Sequence, residues 1–530
     1  MATDFDAVVI GSGFGGAITA CRLAEAGHKV LILERGRRWR PEDYPRDLKD
    51  DWVWDQEHPE KCSGWLDFRV YPNMAIAQGA GVGGGSLIYA NISVEAKPDL
   101  FQSGWPPEIT YNELKPYYDR VGQMLDIQEV PANQWTPRTK LMKEAADAAG
   151  YADRFQLLKL AVTFDPEWHY GLPDPHDQGH SKTFVNAQGQ QQGTCIHLGN
   201  CDVGCDVKAK NTLDLNYIPL AERFHAEVRP LHMVTRVTPV AGGYRVDYDR
   251  LAAEQRMAGS VTGRLVILAA GSLGSTELLL RCRDEFGTLP GLSSYLGRGW
   301  SSNGDFLTPA FHKGRDIRPT RGPTISAAID FLGDRSLNGQ HFFIEDGGFP
   351  DVVGNYMEAL QQQPAKSPRA AALLKTIRLF LQQQDPLRVT MPWFAQGRDA
   401  ADGTLSLRKK FWIFGKQELH LDWDIQESGK TINAIVDMHE KLAKLTGGKP
   451  LVPLTWTASK DLITPHPLGG CNMAATAGKG VVDHRGAVFG YPNLYVADGA
   501  IVPEAIGANP SKTIAALAER VAKVIIDEGR

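Results

Sequence analysis

Apolar positions open this chain as an unbroken run, Ala7 to Ile10, and give way at once to Gly11, Gly13, Gly15 and Gly16. Such a run predicts a buried strand entering a tight turn. From Ala17 to Ala26 apolar positions recur at helical spacing, Gly27 stops them, and His28 to Glu34 reads as a second buried strand. A second glycine-rich stretch, Gly79 to Ser86, follows a region of Trp, Pro and charge. Strand-like patterns return over 227–237 and 244–248, and Leu265 to Ala270 reads as a buried strand feeding a helix over Thr276 to Arg281. Between about 310 and 455 strands (Thr404 to Leu407, Glu418 to Trp423) alternate with amphipathic helices. A buried strand over Asn493 to Ala497 and a helix from Pro510 to Glu528 complete the pattern. The class is α/β. We partition it into a discontinuous Rossmann-type unit (1–100, 190–310, 456–530) and an inserted α+β unit on an antiparallel sheet (101–189, 311–455).

Composition changes this picture little. The chain has 530 residues, enough for more than one domain, with 43% hydrophobic and 22% charged residues. A net charge of -5 without a long basic run argues against a nucleic-acid partner. No stretch approaches the roughly 18 apolar residues of a membrane span. The first strand starts almost at the initiator Met, leaving no room for a leader, so a cytoplasmic location is expected. Seven cysteines do not describe a disulfide framework.

The first glycine loop has a mechanism because it joins a strand to a helix. Gly11 permits the turn, Gly13 lets a pyrophosphate approach the backbone, and Gly16 packs strand on helix. The helix N-terminus then faces the phosphates, and Phe14 and Gly15 of the same loop are further candidate cofactor contacts. Glu34 closes the second strand, where a carboxylate can accept both ribose hydroxyls, and Arg35 follows it. This loop alone leaves NAD and FAD both open.

Four later segments resemble the glucose–methanol–choline oxidoreductases, and among them the cholesterol-oxidase-like branch. They are Gly81 to Asn91, Ala269 to Leu279, His466 to Cys471, and Asn493 to Ala500 together with Ala508 to Pro510. The resemblance implies FAD as cofactor, an FAD-binding Rossmann-type domain and an inserted substrate domain. It places Gly83, Gly84, Ser86 and Asn91 by the flavin and pyrophosphate, and Ala270 and Gly271 at a helix start beside the cofactor. Asp498 and Gly499 fall at the ribityl or pyrophosphate part, and Val234, in an edge strand, by the adenine.

By the same resemblance His466 and Asn509 face the flavin. Imidazole, with an ordinary pKa near 6.5, suits removal of a hydroxyl proton, and a neutral amide can donate to the substrate oxygen. The expected reaction is hydride transfer from a hydrophobic alcohol, sterol-like or otherwise bulky, to flavin N5. Molecular oxygen or an acceptor protein would take the electrons. A lyase or decarboxylase on the same fold, or a flavin carrier without turnover, are other readings, against which the His466 and Asn509 pair speaks. The isomerising Glu of cholesterol oxidases has no clear counterpart here, and Glu345, in the right region, reads as structural.

Cys195, Cys201 and Cys205 resemble a ferredoxin run with Leu198 in one ligand position and Asp206 where Pro is usual. Two readings stay open: three reduced thiols in a packing turn, or ligands of a three-iron (3Fe–4S) cluster relaying electrons outward. Over Ala370 to Gln384, Leu373, Leu374, Ile377, Phe380 and Leu381 share one helix face. That face suits core packing, or a lid touching a membrane surface or partner. Trp393, Phe394, Phe411, Trp412 and Phe414 are candidates to line a pocket for a bulky alcohol.

Overall fold

The computed structural model describes residues 3–334, 337–409 and 417–529. The opening pattern folds as read: strand Phe5–Ile10, helix Phe14–Glu25 and strand Val30–Leu33. These strands are buried on both faces, as a parallel sheet requires. Phe5–Ile10 pairs in parallel with Val30–Leu33 on one side and with Gln255–Leu268 on the other. Glu227–Arg229 extends the sheet beyond Val30–Leu33, and Leu494–Val496 adds a parallel partner to Gln255–Leu268.

The stretch expected as one strand over 227–237 is two. Pro230 has no N–H to give a ladder, and Leu231 sits at φ 58°, so the chain turns there. Glu227–Arg229 is parallel to Val30–Leu33, whereas His232–Val240 runs antiparallel to Gly243–Ala252. The strand expected at 265 starts much earlier, at Gln255. Its first half is exposed and polar, which hid it from a reading based on buried runs.

A second sheet is antiparallel throughout. Its order is Lys449–Pro450, Phe306–Phe311, Thr390–Gly397, Phe342–Asp346, Ala327–Asp330 and Phe155–Leu157. Helix Ile425–Leu445 covers one face: Gly397 lies against Thr431 and Ile435. Strand alternation then puts Trp393, Ala395 and Gly397 on that side and Phe394 and Gln396 on the other. Trp393 is therefore core, not pocket lining. Phe411, Trp412 and Phe414 lie outside the described residues.

Helix Pro368–Leu381 buries Leu374, Ile377 and Phe380, the last against Phe311 at 5.5 Å between ring centroids. Its apolar stripe is thus largely committed to packing, leaving Leu373 in solvent. Among the described residues no helix is long and apolar enough to cross a membrane.

One buried cation ties the loop before strand Ala327–Asp330 to the end of Phe342–Asp346. Arg138 donates to the carbonyls of Thr324 (2.9 Å), Gly347 (2.8 Å), Arg321 (3.0 Å), Pro323 (2.8 Å) and Asp346. A buried guanidinium costs several kcal/mol to desolvate, and here five carbonyl dipoles offset that cost. Arg138→Met would strand those carbonyls together. We expect a loss of about 3–5 kcal/mol, read as a lower Tm.

Candidate active site

The two glycine loops meet. A side chain on Gly84 would begin 2.6 Å from the Gly13 Cα, and Gly83 N donates to Ser12 Oγ at 3.1 Å. Ser86 supports this second loop, donating to Gly83 O (2.8 Å) and accepting from Leu213 N (3.1 Å). The glycines of the first loop differ in what they avoid. A Cβ on Gly11, Gly15 or Gly16 would lie 2.4, 2.3 or 1.9 Å from the carbonyl oxygens of Ala269, Ala497 and Gly11. On Gly13 the nearest heavy atom would be 3.8 Å away. The protein itself therefore does not demand glycine at 13, but a ligand resting on that backbone would.

Glu34 is buried at the end of its strand. Its carboxylate accepts from Ser12 N (3.0 Å), Ser12 Oγ (2.6 Å) and Gly36 N (2.9 Å). His232 N donates to Glu34 O at 2.8 Å, which brings the edge strand carrying Val234 alongside. Arg35 is engaged elsewhere, pairing with Asp67 at 2.7 Å and stacking on Trp54 at 4.2 Å.

Across the mouth, Asp498 accepts from Gly271 N (2.8 Å), Ser275 Oγ (2.6 Å) and Ala500 N (2.8 Å). It thereby caps helix Gly271–Leu280 and fixes Gly499 and Ala270 beside it. Asn91 is buried with φ 68°, and neither end of its amide has a hydrogen-bond partner in the protein. Orphaning such a group costs about 1–3 kcal/mol, so Asn91 calls for a polar ligand. The open Gly13 backbone, the Glu34 carboxylate and the Asn91 amide fit a dinucleotide carrying a polar ring system.

The reactive end is built around one turn. Ser301 and Ser302 are held by Asp399 (Ser301 Oγ 2.7 Å, Ser302 N and Oγ 2.8 Å). Asn303 (φ 57°) and Gly304 (φ 63°) both take the left-handed conformation. The Asn303 side chain then accepts from Gly507 N (2.9 Å) and donates to Ala508 O (2.9 Å), fixing the backbone that leads into Asn509. Asp305, fully buried, accepts from His466 Nδ1 at 2.9 and 3.0 Å and from the Thr464 hydroxyl. Thr464 Oγ1 also accepts from His466 N at 2.8 Å. Burial pushes the Asp305 carboxyl up, and His466 and Thr464 pull against that rise.

Asn509 is buried, with Nδ2 3.5 Å from Glu345 Oε2 and Oδ1 unpartnered. Glu345 accepts from Gln396 Nε2 at 2.8 Å, while its other oxygen has no partner. Burial pushes its carboxyl up to about 8. Phe394, on the same sheet face, lies 6.4 Å from the His466 ring.

A model described as GMC oxidoreductase matches residues 381–518, and one described as NAD(P)-binding Rossmann-like domain matches 9–40. The chain is 31% identical over 552 residues to the cholesterol oxidase of Acinetobacter baumannii, covering 98% of this chain and 94% of that one. It is 31% identical over 562 residues to the cholesterol oxidase of Mycobacterium tuberculosis, covering 100% and 92%. This chain belongs to the GMC oxidoreductases, in their cholesterol-oxidase-like branch. As a GMC enzyme it is an FAD-dependent oxidoreductase acting on CH–OH donors. Its fold is shared with pyridoxine 4-oxidase from Mesorbium loti at TM-score 0.64 and 16% identity, over 98% and 99% of the two chains.

The resemblance of the GMC chain to a ferredoxin does not extend to a metal site. Among the described residues no three or more His, Cys, Asp or Glu side chains converge so as to hold a metal ion. Cys195, Cys201 and Cys205 are free thiols in a tight turn, and Cys205 Sγ accepts from Ala209 N at 3.2 Å. Burial pushes Cys195 and Cys205 up, which favours the thiol over the ligating thiolate.

Two signals for the site were missed in the sequence. Asn303-Gly304 is a turn dipeptide, and Asp305 is a carboxylate opening an apolar strand, an expensive position unless it serves another group.

Two outcomes follow. Gly13→Ala should leave the melting of the apoprotein unchanged and weaken FAD binding, whereas Gly16→Ala should destabilise the apoprotein itself; melts with and without FAD separate them. Glu345 holds its proton to about pH 8 when folded but ionises near 4.5 unfolded, so it disfavours the native state increasingly as pH rises through that interval. Glu345→Gln should therefore gain in Tm relative to the native enzyme between pH 5 and pH 8.

Proposed function

We propose that this enzyme oxidises a bulky hydrophobic, sterol-like alcohol, with His466 as the base that takes the hydroxyl proton. The Asp305 carboxylate on His466 Nδ1 is the observation that carries the reading. With Nδ1–H directed at Asp305, the Nε2 lone pair is left to accept a proton. The buried carboxylate then balances the imidazolium that forms, as the acid of a catalytic triad does. Asn509 can donate to the substrate oxygen and hold the carbinol hydrogen in line, adding no charge.

FAD supplies the hydride acceptor. In this reading Gly11, Gly13, Phe14, Gly15 and Gly16 receive its pyrophosphate and Glu34 its ribose, with the Val234 backbone at the adenine end. Gly83, Gly84, Ser86, Asn91, Ala270, Gly271, Asp498 and Gly499 enclose the remainder. The sterol-like substrate is supported by the two cholesterol oxidases at 31% identity and by Phe394 beside His466.

Glu345 has a second role in this proposal. A carboxyl with a pKa of about 8, one free oxygen and a neighbour in Asn509 suits proton movement between carbons of an unsaturated ketone product. Glu345→Gln should still oxidise the alcohol but accumulate the unconjugated ketone, seen as loss of the strong ultraviolet absorbance that the conjugated enone would give.

The experiment for the oxidation is anaerobic bleaching of the bound flavin by a panel of sterols and other alcohols. His466→Ala should slow bleaching about a hundredfold or more, and Asp305→Asn should slow it in the same direction. Unchanged rates would remove His466 from the role of base. Admission of air afterwards distinguishes oxygen, by prompt return of colour, from an acceptor protein.

A further inference from the structure

The sheet face that carries Phe394 and Gln396 reaches a third residue, Arg398. Arg398 N donates to His341 O at 2.9 Å, so the ladder continues past Gly397. The Arg398 stem packs on Gly507, where a Cβ would lie 2.9 Å from its Cγ, two residues before Asn509. At about 3.3 Å per residue, Arg398 stands roughly 13 Å along the strand from Phe394, the residue beside the His466 ring.

Its guanidinium is half used. Nη1 donates to Asp99 at 2.7 Å, while Nε and Nη2, the two parallel donors of the opposite edge, are buried with no protein partner. Glu504 lies in the same cluster, and its Oε1 is likewise buried and unpartnered, with the Gly104 Cβ position 3.1 Å away. His341 adds a buried Nδ1 without a partner.

Three ligand chemistries can be weighed against this set. A hydrocarbon would leave the polar atoms unpaired, at about 1–3 kcal/mol each. A carboxylate would satisfy the fork, but Asp99 already balances Arg398, and Glu504, pushed up by burial to about 7, is itself partly charged near neutrality. The added negative charge would go uncompensated. A hydroxyl matches the Arg398 and Glu504 atoms: its oxygen accepts from the fork and its hydrogen goes to Glu504.

We propose that Arg398 and Glu504 form a subsite for a second substrate hydroxyl, so that the preferred substrate is a bulky, largely apolar alcohol carrying a second hydroxyl remote from the one oxidised. This rests on the reading of His466 as the reacting end. It adds a requirement which that reading does not contain.

The test compares a rigid steroid diol, with hydroxyls at opposite ends of the ring system, with the mono-ol lacking the distal one. Anaerobic flavin reduction by the holoenzyme should give a kcat/KM ratio of at least about a hundredfold in favour of the diol, because the mono-ol leaves the buried donors and acceptor unpaired. In Arg398→Met and Glu504→Leu that ratio should fall toward one, and Glu504→Gln, which keeps an acceptor oxygen, should retain part of it. Equal kcat/KM for the two alcohols in the native enzyme overturns the subsite. An undiminished ratio in both Arg398→Met and Glu504→Leu overturns it as well. If neither alcohol bleaches the flavin, the sterol-like substrate reading falls, and this proposal with it.

Discussion

The placement of His466 and Asn509 depends on the turn Ser301 to Asp305. Two successive left-handed residues, Asn303 and Gly304, bend the chain so that neighbouring side chains leave in different directions. Asn303 holds the backbone before Asn509, and Asp305 holds His466. The turn is in turn fixed by Asp399 through both serines. Asp399 follows Arg398 at the end of the strand that presents Phe394 and Gln396, so the sheet, the His466 imidazole and the Asn509 amide share one short anchor.

Two buried carboxylates near this turn show how partners divide roles between like groups. Burial raises both Asp305 and Glu345. Asp305 faces an imidazole and a hydroxyl, which stabilise its charge and suit it to serve as a counter-ion. Glu345 faces only the amides of Gln396 and Asn509, and one of its oxygens faces no protein donor. Burial with only amide donors beside it therefore holds the Glu345 carboxyl up at about 8.

What was legible in the sequence was the part whose physics is local. The strand, loop and helix at Phe5–Glu25 declare themselves because a buried parallel strand is apolar throughout and a close backbone approach needs glycine. His466 and Asn509 emerged only through family resemblance, and Asp305 not at all. Its meaning comes from a histidine 161 positions away, and no local pattern encodes that pairing. The exposed half of Gln255–Leu268 escaped because its stabilising contacts are ladder hydrogen bonds to Gly243–Ala252 and not apolar burial. Trp393 and Phe394 were indistinguishable in sequence, and only the sheet's orientation separated the core residue from the one beside His466. The cysteine run illustrates the converse: spacing suggested ligands, but burial favours protonated thiols.

The long-range character of these pairings has a consequence for synthesis. The turn at Ser301 to Asp305 leaves the ribosome well before His466, Asp498 and Asn509 exist, and strand Leu494–Val496 joins the central sheet only afterwards. Until then the nascent chain has a nucleotide loop without its distal wall, and a carboxylate without the imidazole it orients. The distal wall of the nucleotide loop and the Asp305–His466 pair are thus completed together, late in translation. A stalled or prematurely terminated polypeptide would have neither.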